Sequence, residues 1–476
     1  MNLQCFRSIK ISEPILQGKT VTTQITSTDM KANKHNFSLI FRYDEPIISG
    51  DLPLMRLASV MPVLNYGLFS KEIRLMFPVS DSDISLLNDL LEIFTRDIFV
   101  NKLVRKKNPY ILPHFLPLES EVTNENARPL AKIILSKLLE DAPISQGSDN
   151  SSCGVLSSGG KESLLTYGML KEIGAEVHPL FVNESGGHWR TALTSYRQFV
   201  ENEPNTTRVW TNVDRFYVFM LDHMRIIRSN HRKVWSDTYP IRLCIFPVYV
   251  FLLLPVFVRR KIGNLLIGSE LDDPRTSPFF KGIKHYFGVY DQTQDFDLRM
   301  EQWYMKRLPG MRQWSAVRPI SGMIVERVLT KRYPELARVQ RSCHSCHFEK
   351  GKIVPCGQCS KCQGVLLFLL ANQVDPSIME YREEDVIALP KRVAEGVLRL
   401  DEDEREHSLF LSKLPGLAGR EYSHIETIHL NKPTSDIELV PARFRGPLLK
   451  IMTEYTKGFT KLEGDSWTPV TSPKEL

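Results

Sequence analysis

Apolar and polar positions follow two different periods in the first 150 residues. Two segments alternate apolar and polar side chains and are rich in β-branched and aromatic residues, which predicts strands at 37–43 and 72–77. A third segment repeats apolar residues every three or four positions, which predicts an amphipathic helix at 83–103. The polar run at 145–152 is typical of a linker. The pattern therefore favours an N-terminal α+β domain over residues 1–150.

From residue 151 onwards, short apolar runs alternate with helical patterns. The apolar runs predict strands at 154–156, 177–182, 208–211 and 264–267. Apolar residues at three- and four-residue steps predict helices at 162–173 and 188–200. Such alternation is typical of an α/β domain with a doubly wound, mainly parallel sheet, in which ligands bind at the carboxyl ends of the strands. We place this domain at residues 151–375.

The remaining pattern is less regular. A helical segment at 364–372 follows a cluster of cysteines, and the extension at 376–476 has no motif that indicates its role. The apolar run at 241–258 has about the 18 residues that a membrane helix needs. It contains Pro247 and Pro255 and no second run accompanies it, so we interpret it as a buried helix of the α/β core.

Composition narrows the class of protein. The 476 residues are 42% hydrophobic and 24% charged, which is typical of a globular protein in water. The 61 basic and 55 acidic residues leave a net charge of +6, too dilute over this length to indicate nucleic acid or a membrane as partner. The first 14 residues lack the apolar core of a secretory signal. We therefore expect a cytoplasmic protein; a homodimer stays open.

Five of the eight cysteines fall between residues 343 and 362, a density that indicates a metal site in a reducing compartment. Two residues separate Cys356 from Cys359 and Cys359 from Cys362, so that one tight turn can aim three sulfurs at one ion. Tetrahedral Zn²⁺ suits such thiolates. An iron–sulfur cluster and a set of buried free cysteines are the alternatives. The residues left open as fourth ligand are Cys343, Cys346, His344 and His347.

A second motif lies between the first strand and the first helix of the α/β domain. It consists of Ser157, Ser158, Gly159, Gly160, Lys161, Glu162 and Ser163. Adjacent glycines let backbone amides approach an anion, and the helix start adds further amide donors and the positive end of its dipole. The spacing excludes the NTPase P-loop and the three-glycine dinucleotide fingerprint. A helix-capping turn without a ligand is the structural alternative.

The sequence Ser-Gly-Gly-Lys-Glu-Ser resembles the Ser-Gly-Gly-x-Asp-Ser signature of the PP-loop ATP pyrophosphatase superfamily. The resemblance implies a doubly wound sheet whose loop binds the pyrophosphate part of ATP. It implies phosphate contacts for Ser158, Gly159, Gly160 and Ser163. Ser157 is a further candidate nucleotide contact, and Lys161 and Glu162 are the candidate catalytic residues. Glu162 stands where the family has Asp, and we expect it to hold Mg²⁺.

The order of the motifs between residues 153 and 372 is similar to that of the 7-cyano-7-deazaguanine synthase family. That resemblance implies an ATP or substrate contact for Asp272, and Glu184 follows a strand end that often lines the nucleotide in this fold. A solvated loop carboxylate is the alternative for each. The resemblance also favours Cys343 as the fourth zinc ligand, with Cys346 retained as an alternative. The order of an α+β segment before a PP-loop domain is also similar to the muramoyl-dipeptide glutamate epimerase family. No motif in residues 1–150 or 376–476 supports either likeness.

These resemblances imply an enzyme that adenylates a carboxylate or amide oxygen of a small molecule or peptide, releasing pyrophosphate and then AMP. Two other functions stay open. The first is a tRNA-modifying PP-loop enzyme, for which the basic residues of 225–233 are a modest candidate patch. The second is a zinc-binding module without catalysis, for which Glu162 in place of Asp is the support. The substrate is not indicated.

Overall fold

The computed structural model describes residues 2–145, 147–234, 243–275, 277–343, 345–396 and 398–471. Among them are eighteen strands: β1 (Phe6–Ile11), β2 (Ile15–Gln17), β3 (Thr20–Asp29), β4 (Lys34–Arg42), β5 (Glu72–Ser80), β6 (Lys132–Leu139), β7 (Asp149–Leu156), β8 (Glu176–Asn183), β9 (Thr207–Thr211), β10 (Ile262–Leu266), β11 (Phe279–Phe280), β12 (Ile283–Lys284), β13 (Arg312–Trp314), β14 (His347–Glu349), β15 (Lys352–Val354), β16 (Ile428–His429), β17 (Phe459–Glu463) and β18 (Ser466–Val470).

The described residues also form fourteen α-helices. They are α1 (Leu52–Val60), α2 (Asp81–Asp97), α3 (Lys161–Glu172), α4 (His188–Asn202), α5 (Val213–Asp222), α6 (Phe246–Arg260), α7 (Gln294–Arg307), α8 (Gly322–Arg332), α9 (Pro334–Ala337), α10 (Ser360–Ala371), α11 (Glu383–Ala394), α12 (Glu402–Ser412), α13 (Lys432–Ser435) and α14 (Ala442–Thr453). A π-helix, Ile98–Arg105, continues directly from α2.

Eleven strands form one central sheet in the order β13-β10-β7-β8-β9-β4-β3-β1-β5-β6, with β2 paired to β3. Most of its pairings are parallel, and the antiparallel ones lie between β9 and β1 and at β2. The predicted mixed α/β fold with a mainly parallel sheet is confirmed.

The order of the five strands at one end of this sheet fixes where a ligand can bind. β7 lies in the middle, β8 and β9 follow on one side, and β10 and β13 on the other. The chain therefore runs from β7 to one side through β8 and β9, and then crosses to the other side of β7, where it forms β10 and β13. The strand order thus reverses between the neighbouring strands β7 and β10. In open α/β sheets, the crevice at the carboxyl ends of two such strands is the usual ligand site. The loops after β7 and β10 line this crevice.

Helices cover both faces of the parallel strands. Neighbouring residues point to opposite sides, as strand geometry requires. Leu180 belongs to the hydrophobic core that contains α6, whereas Phe181 belongs to the core that contains α3, α8 and α10. Leu265 and Leu266 divide between the same two cores. The two-sided burial explains why these strands are continuously apolar rather than alternating.

The N-terminal region continues the same sheet. β4 pairs with β9, and the core that contains α6 also contains the apolar side chains of α1 and α2. The Tyr43 hydroxyl donates a hydrogen bond of 2.8 Å to the Leu252 carbonyl of α6. The predicted linker at 145–152 is wrong in its second half, because β7 begins at Asp149. Polar residues at the start of a buried strand concealed that boundary.

The apolar run predicted as a buried helix is α6, most of whose side chains are buried. Its predicted first two residues, 241 and 242, lie outside the described residues. Within the described parts of the chain, every helix is too short or too polar to span a bilayer.

Removing the Phe251 side chain tests whether the N-terminal region and the α/β region share one hydrophobic core. Phe251 is buried in α6, with its ring 5.1 Å from that of Trp303. We expect Phe251→Ala to lower the free energy of unfolding by about 3–5 kcal/mol, because the cavity is only partly refilled. Denaturant unfolding followed by circular dichroism should keep one transition. Ile387→Ala, on a side chain that is 71% exposed, is the control. Two transitions, of which only one shifts, would contradict a shared core.

Candidate functional site

The glycine loop lies at the crevice between β7 and β10. The Ser157 amide donates a hydrogen bond of 2.8 Å to the Leu180 carbonyl, which ties the loop to β8. Gly159 has φ of +76°, and a side chain there would meet the Ser195 hydroxyl and the Thr191 carbonyl. From the other side, Gly268 packs so closely that an added Cβ would lie 2.7 Å from the Glu162 Cβ. Gly159 is therefore needed for the loop to approach α4, and Gly268 is needed for the two loops to approach each other.

Two of the loop amides donate to side-chain hydroxyls rather than to backbone carbonyls. The Ser158 amide is 3.4 Å from the Ser163 hydroxyl, and the Gly160 amide is 3.4 Å from the Ser158 hydroxyl. α3 begins at Lys161 without a side-chain cap, so its first turn adds amides that have no acceptor within the helix. Because long bonds to rotatable hydroxyls are easily exchanged, the loop can offer these donors to an anion.

A buried lysine links the two loops. The Lys161 ammonium contacts the carboxylate of Glu162 and lies 2.7 Å from that of Glu270. Burial opposes the charge of Lys161, but the two carboxylates outweigh it and raise the pKa of Lys161. Burial raises the pKa of Glu270 and nearby Glu162 adds to this, whereas Lys161 overcomes burial and lowers the pKa of Glu162. The ammonium therefore stays charged between them.

Two more carboxyl groups stand close to this triad. Glu326 of α8 is fully buried, and burial raises its pKa to about 7. One of its oxygens accepts a hydrogen bond of 3.1 Å from the side-chain amide of Gln340. Burial, followed by the charge of Glu270, raises the pKa of Glu404 to about 8. Glu404 accepts a hydrogen bond of 2.9 Å from the Met323 amide. Two carboxyl groups with pKa values near neutral pH therefore lie close to Lys161.

Two cavities meet at the loop, because Ser158 and Glu162 line both of them. The smaller, of about 100 Å³, is walled mainly by apolar and aromatic side chains: Leu156, Val182, Trp189, Phe246, Tyr249 and Ile267. Glu184 also lines it and is buried, where it accepts a hydrogen bond from the Tyr249 hydroxyl. Its mainly apolar lining with a few polar groups is typical of a site that binds a small organic ligand.

The larger cavity, of about 480 Å³, is strongly polar. Its charged lining residues are Lys161, Glu162, Glu270, Arg341, Lys361 and Arg399. Four positive charges against two negative ones favour an anionic occupant.

Four cysteine sulfurs form a compact group beside this cavity. The sulfurs of Cys343, Cys356, Cys359 and Cys362 all lie within 4.8 Å of one another. Two of these distances are 3.8 and 3.9 Å. A tetrahedron with zinc–sulfur bonds of about 2.3 Å has edges of about 3.8 Å, so the four thiols can hold a single metal ion such as zinc.

The fourth position belongs to Cys343, as the resemblance implied. Cys346 is buried nearby but is not one of the four, and His347 lies 3.7 Å from Glu349 instead. His344 is outside the described residues. The long gap between Cys343 and Cys356 is explained by the β14–β15 hairpin, which brings its two ends together.

The cysteine segment is bonded directly to the glycine loop. The Arg341 amide donates a hydrogen bond of 3.0 Å to the Gly159 carbonyl. The Thr191 hydroxyl of α4 donates one of 3.2 Å to the Cys343 carbonyl. Lys361, which lies between Cys359 and Cys362 of this group, lines the larger cavity. A metal ion in the cysteine group would therefore stiffen one wall of the cavity as well as its own turn.

One predicted nucleotide contact lies elsewhere. Asp272 is not among the described residues that line the two cavities; burial raises its pKa to about 6, while nearby Arg318 acts in the opposite direction. Glu270, two residues earlier in the same loop, reaches Lys161 instead. The sequence contained a signal for Glu326, a single carboxylate in the apolar pattern of α8. No signal distinguished Glu404 within its acidic run.

Comparisons of this chain with protein-family models, with curated proteins and with solved structures found no match.

Metal content tests the ligand set. We expect Cys356→Ser to remove the bound metal, because three thiolates leave one tetrahedral position without a protein ligand. Cys346→Ser, a substitution at a buried cysteine outside the group, should keep about one equivalent. Elemental analysis by mass spectrometry measures both. If Cys346→Ser lost the metal and Cys343→Ser kept it, the assignment of the fourth ligand would be wrong.

The raised pKa of Glu326 predicts a pH-dependent stability. A carboxyl group whose pKa is higher in the folded than in the unfolded state stabilises the fold at low pH, and this contribution is lost as pH rises through about 7. Relative to wild type, Glu326→Gln should therefore gain stability between about pH 5 and pH 8, on the order of 3 kcal/mol. Unfolding in denaturant at several pH values measures it. Glu335→Gln on the surface should show no such trend, and an equal trend in both would contradict the burial argument.

Proposed function

We propose that this chain is an ATP-dependent enzyme of the PP-loop type. It adenylates a carboxylate or amide oxygen of its substrate and releases pyrophosphate, then AMP. The observation that carries the proposal is the position of residues 157–163, where two cavities of different polarity meet on a loop with exchangeable amide donors. The order of strands around β7 also agrees with the doubly wound sheet expected of this superfamily.

The two cavities divide the nucleotide between them. The apolar cavity beside Trp189 suits the adenine ring, which stacks well on aromatic side chains. The amides of residues 158–163 and the start of α3 then face the β- and γ-phosphates. The α-phosphorus lies between the two cavities, where a substrate in the larger one can reach it.

Glu162 and Glu270 are the residues that would hold Mg²⁺. Both carboxylates reach the same ammonium, so both are within reach of one cation between them. Magnesium prefers one or two carboxylates together with substrate phosphates, and the longer Glu162 side chain is compatible with this because Glu270 approaches from the opposite loop. When bound, the ion neutralises charge on the departing pyrophosphate. The Lys161 ammonium would turn from the carboxylates to the phosphates.

The reaction follows from this placement. A substrate oxygen attacks the α-phosphorus, a new phosphorus–oxygen bond forms, and the bond to the bridging oxygen breaks with its electron pair leaving on pyrophosphate. The loop amides and Lys161 stabilise that developing charge. A second nucleophile then attacks the activated carbon and AMP leaves.

The two other functions have less support. The basic residues proposed for tRNA are largely engaged by the protein itself: Arg225 donates to the Asn2 and Gln4 carbonyls, and Arg232 pairs with Asp222. A zinc module without catalysis would not need two cavities on a glycine loop.

Because thiolate ligands persist in reducing surroundings, we also propose a cytoplasmic location.

The function is tested by incubating the full-length protein with ATP and Mg²⁺ across a panel of carboxylic acids and amides. We expect AMP and pyrophosphate in equal amounts with at least one compound, measured by coupled assay and chromatography. ADP and inorganic phosphate as products would contradict attack at the α-phosphorus.

Gly160→Asp tests the loop itself. An added side chain at Gly160 meets only the flexible side chains of Glu162 and Ser158, so the fold should persist. The new carboxylate would repel phosphates, and we expect ATP affinity, measured by calorimetry, to fall at least a hundredfold with metal content unchanged. Gly446→Asp, at an exposed glycine with open space around it, is the control. Unchanged ATP affinity of Gly160→Asp would remove the loop from the proposal.

A further inference from the structure

The central sheet ends in an open edge at β6. Within the described ranges, β5 is the only strand paired with β6, which stands last in the order of the sheet. The strand is eight residues long, and none of its side chains is buried. Alternate backbone amides and carbonyls of such a strand point away from its neighbour and can pair with another chain. β6 therefore offers a hydrogen-bonding template that is about 26 Å long.

The opposite edge of the same sheet is formed by β13, and the C-terminal extension covers it. Trp314 of β13 is buried, and its ring stacks on that of Phe444 in α14 with 5.7 Å between the centroids. The Arg312 guanidinium donates a hydrogen bond of 3.2 Å to the Leu439 carbonyl. The chain therefore shields one edge of the sheet with its own residues and leaves the edge at β6 exposed.

Apolar side chains line the open edge. Ile134 is 39% exposed, Leu138 is 50% exposed and Leu139 is 39% exposed. Single exposed apolar residues are ordinary on a protein surface, but a contiguous group of them on an unpaired strand is typical of an interaction site. Natural edge strands avoid association by being very short or heavily charged. β6 is neither, since only two of its eight residues are charged, both of them lysines.

The order of residues along β6 suits pairing with a second copy of the same strand. Two antiparallel copies related by a twofold axis at Ser136 place Ile134 opposite Leu138, and Lys132 opposite Glu140, twice each. Lys132 and Glu140 are exposed, and in the described part of the chain neither of them forms an ion pair. Cross-strand apolar pairs and opposite charges both stabilise antiparallel strands. The edge is therefore complementary to itself in backbone hydrogen bonding, apolar contact and charge.

We propose that two copies of this chain pair through β6, antiparallel and about a twofold axis at Ser136, so that the central sheet continues from one protomer into the other. Twofold symmetry pairs both open edges with each other and leaves no template for a third chain. The interface goes beyond the proposed function, because β6 lies seven strand positions from β7, roughly 30 Å from the glycine loop. Both cavities therefore stay accessible in the dimer.

Sedimentation velocity of the full-length protein tests the interface. At about 20 μM, where a dimer with a micromolar dissociation constant is mostly formed, we expect a species of twice the mass of one chain. Ser136→Glu sets two carboxylates opposite each other on the axis and should raise the dissociation constant at least tenfold. Because Ser136 is exposed, the protomer should keep its circular dichroism spectrum. Ser466→Glu, at an exposed serine of β18, is the control and should leave the dimer unchanged.

Reversing single charges tests the register of the two strands. Lys132→Glu and Glu140→Lys should each weaken the dimer about tenfold, because each sets like charges opposite one another twice. The variant with both substitutions restores the opposite charges, and its dissociation constant should return to within about threefold of wild type.

A wild-type protein that is monomeric at this concentration would overturn the proposal, as would a dimer that none of these substitutions weakens. Assembly beyond the dimer would also contradict it, because an open row of copies lacks the twofold closure. If the doubly substituted protein associated no better than either single variant, the register about Ser136 would be wrong.

Discussion

A lysine ammonium that is largely removed from water needs negative charge around it, and this requirement organises the centre of the molecule. Lys161 begins α3, Glu162 follows it, and Glu270 arrives from the loop after β10. These three charged groups therefore connect the loops after β7 and β10, the two neighbouring strands between which the strand order reverses. Losing either carboxylate would leave a buried charge poorly compensated. The same arrangement keeps one ammonium and two carboxylates in the lining of the larger cavity, and Glu162 lines the smaller cavity as well.

The cysteine group extends this organisation to the third part of the chain. Its segment is bonded to the glycine loop through Arg341 and to α4 through Thr191. A metal ion there would fix the position of α10, whose first turn lines the larger cavity. The chain thus places the glycine loop and a candidate metal site around one cavity, with contributions from distant parts of the sequence.

The features that depend on residues close together in the sequence could be predicted from it. The glycine loop, the parallel strands, the buried α6 and three of the four cysteines follow from spacing and periodicity. The continuous sheet does not, because the pairing of β4 with β9 depends on contacts between residues about 170 positions apart. Glu270 escaped prediction for the same reason, because its contact with Lys161 joins residues 109 positions apart. The sequence gives the number of residues between Cys343 and Cys356, but it does not show that they form a hairpin.

The central claim is that the loop after β7 grips the departing phosphates. A crystal structure of the full-length protein with α,β-methylene-ATP and Mg²⁺ tests it most directly. The account predicts the β- and γ-phosphates on the amides of residues 158–163, the adenine against Trp189, and the metal ion between Glu162 and Glu270. Nucleotide bound elsewhere, or a loop whose amides keep their hydroxyl partners while nucleotide is present, would contradict it.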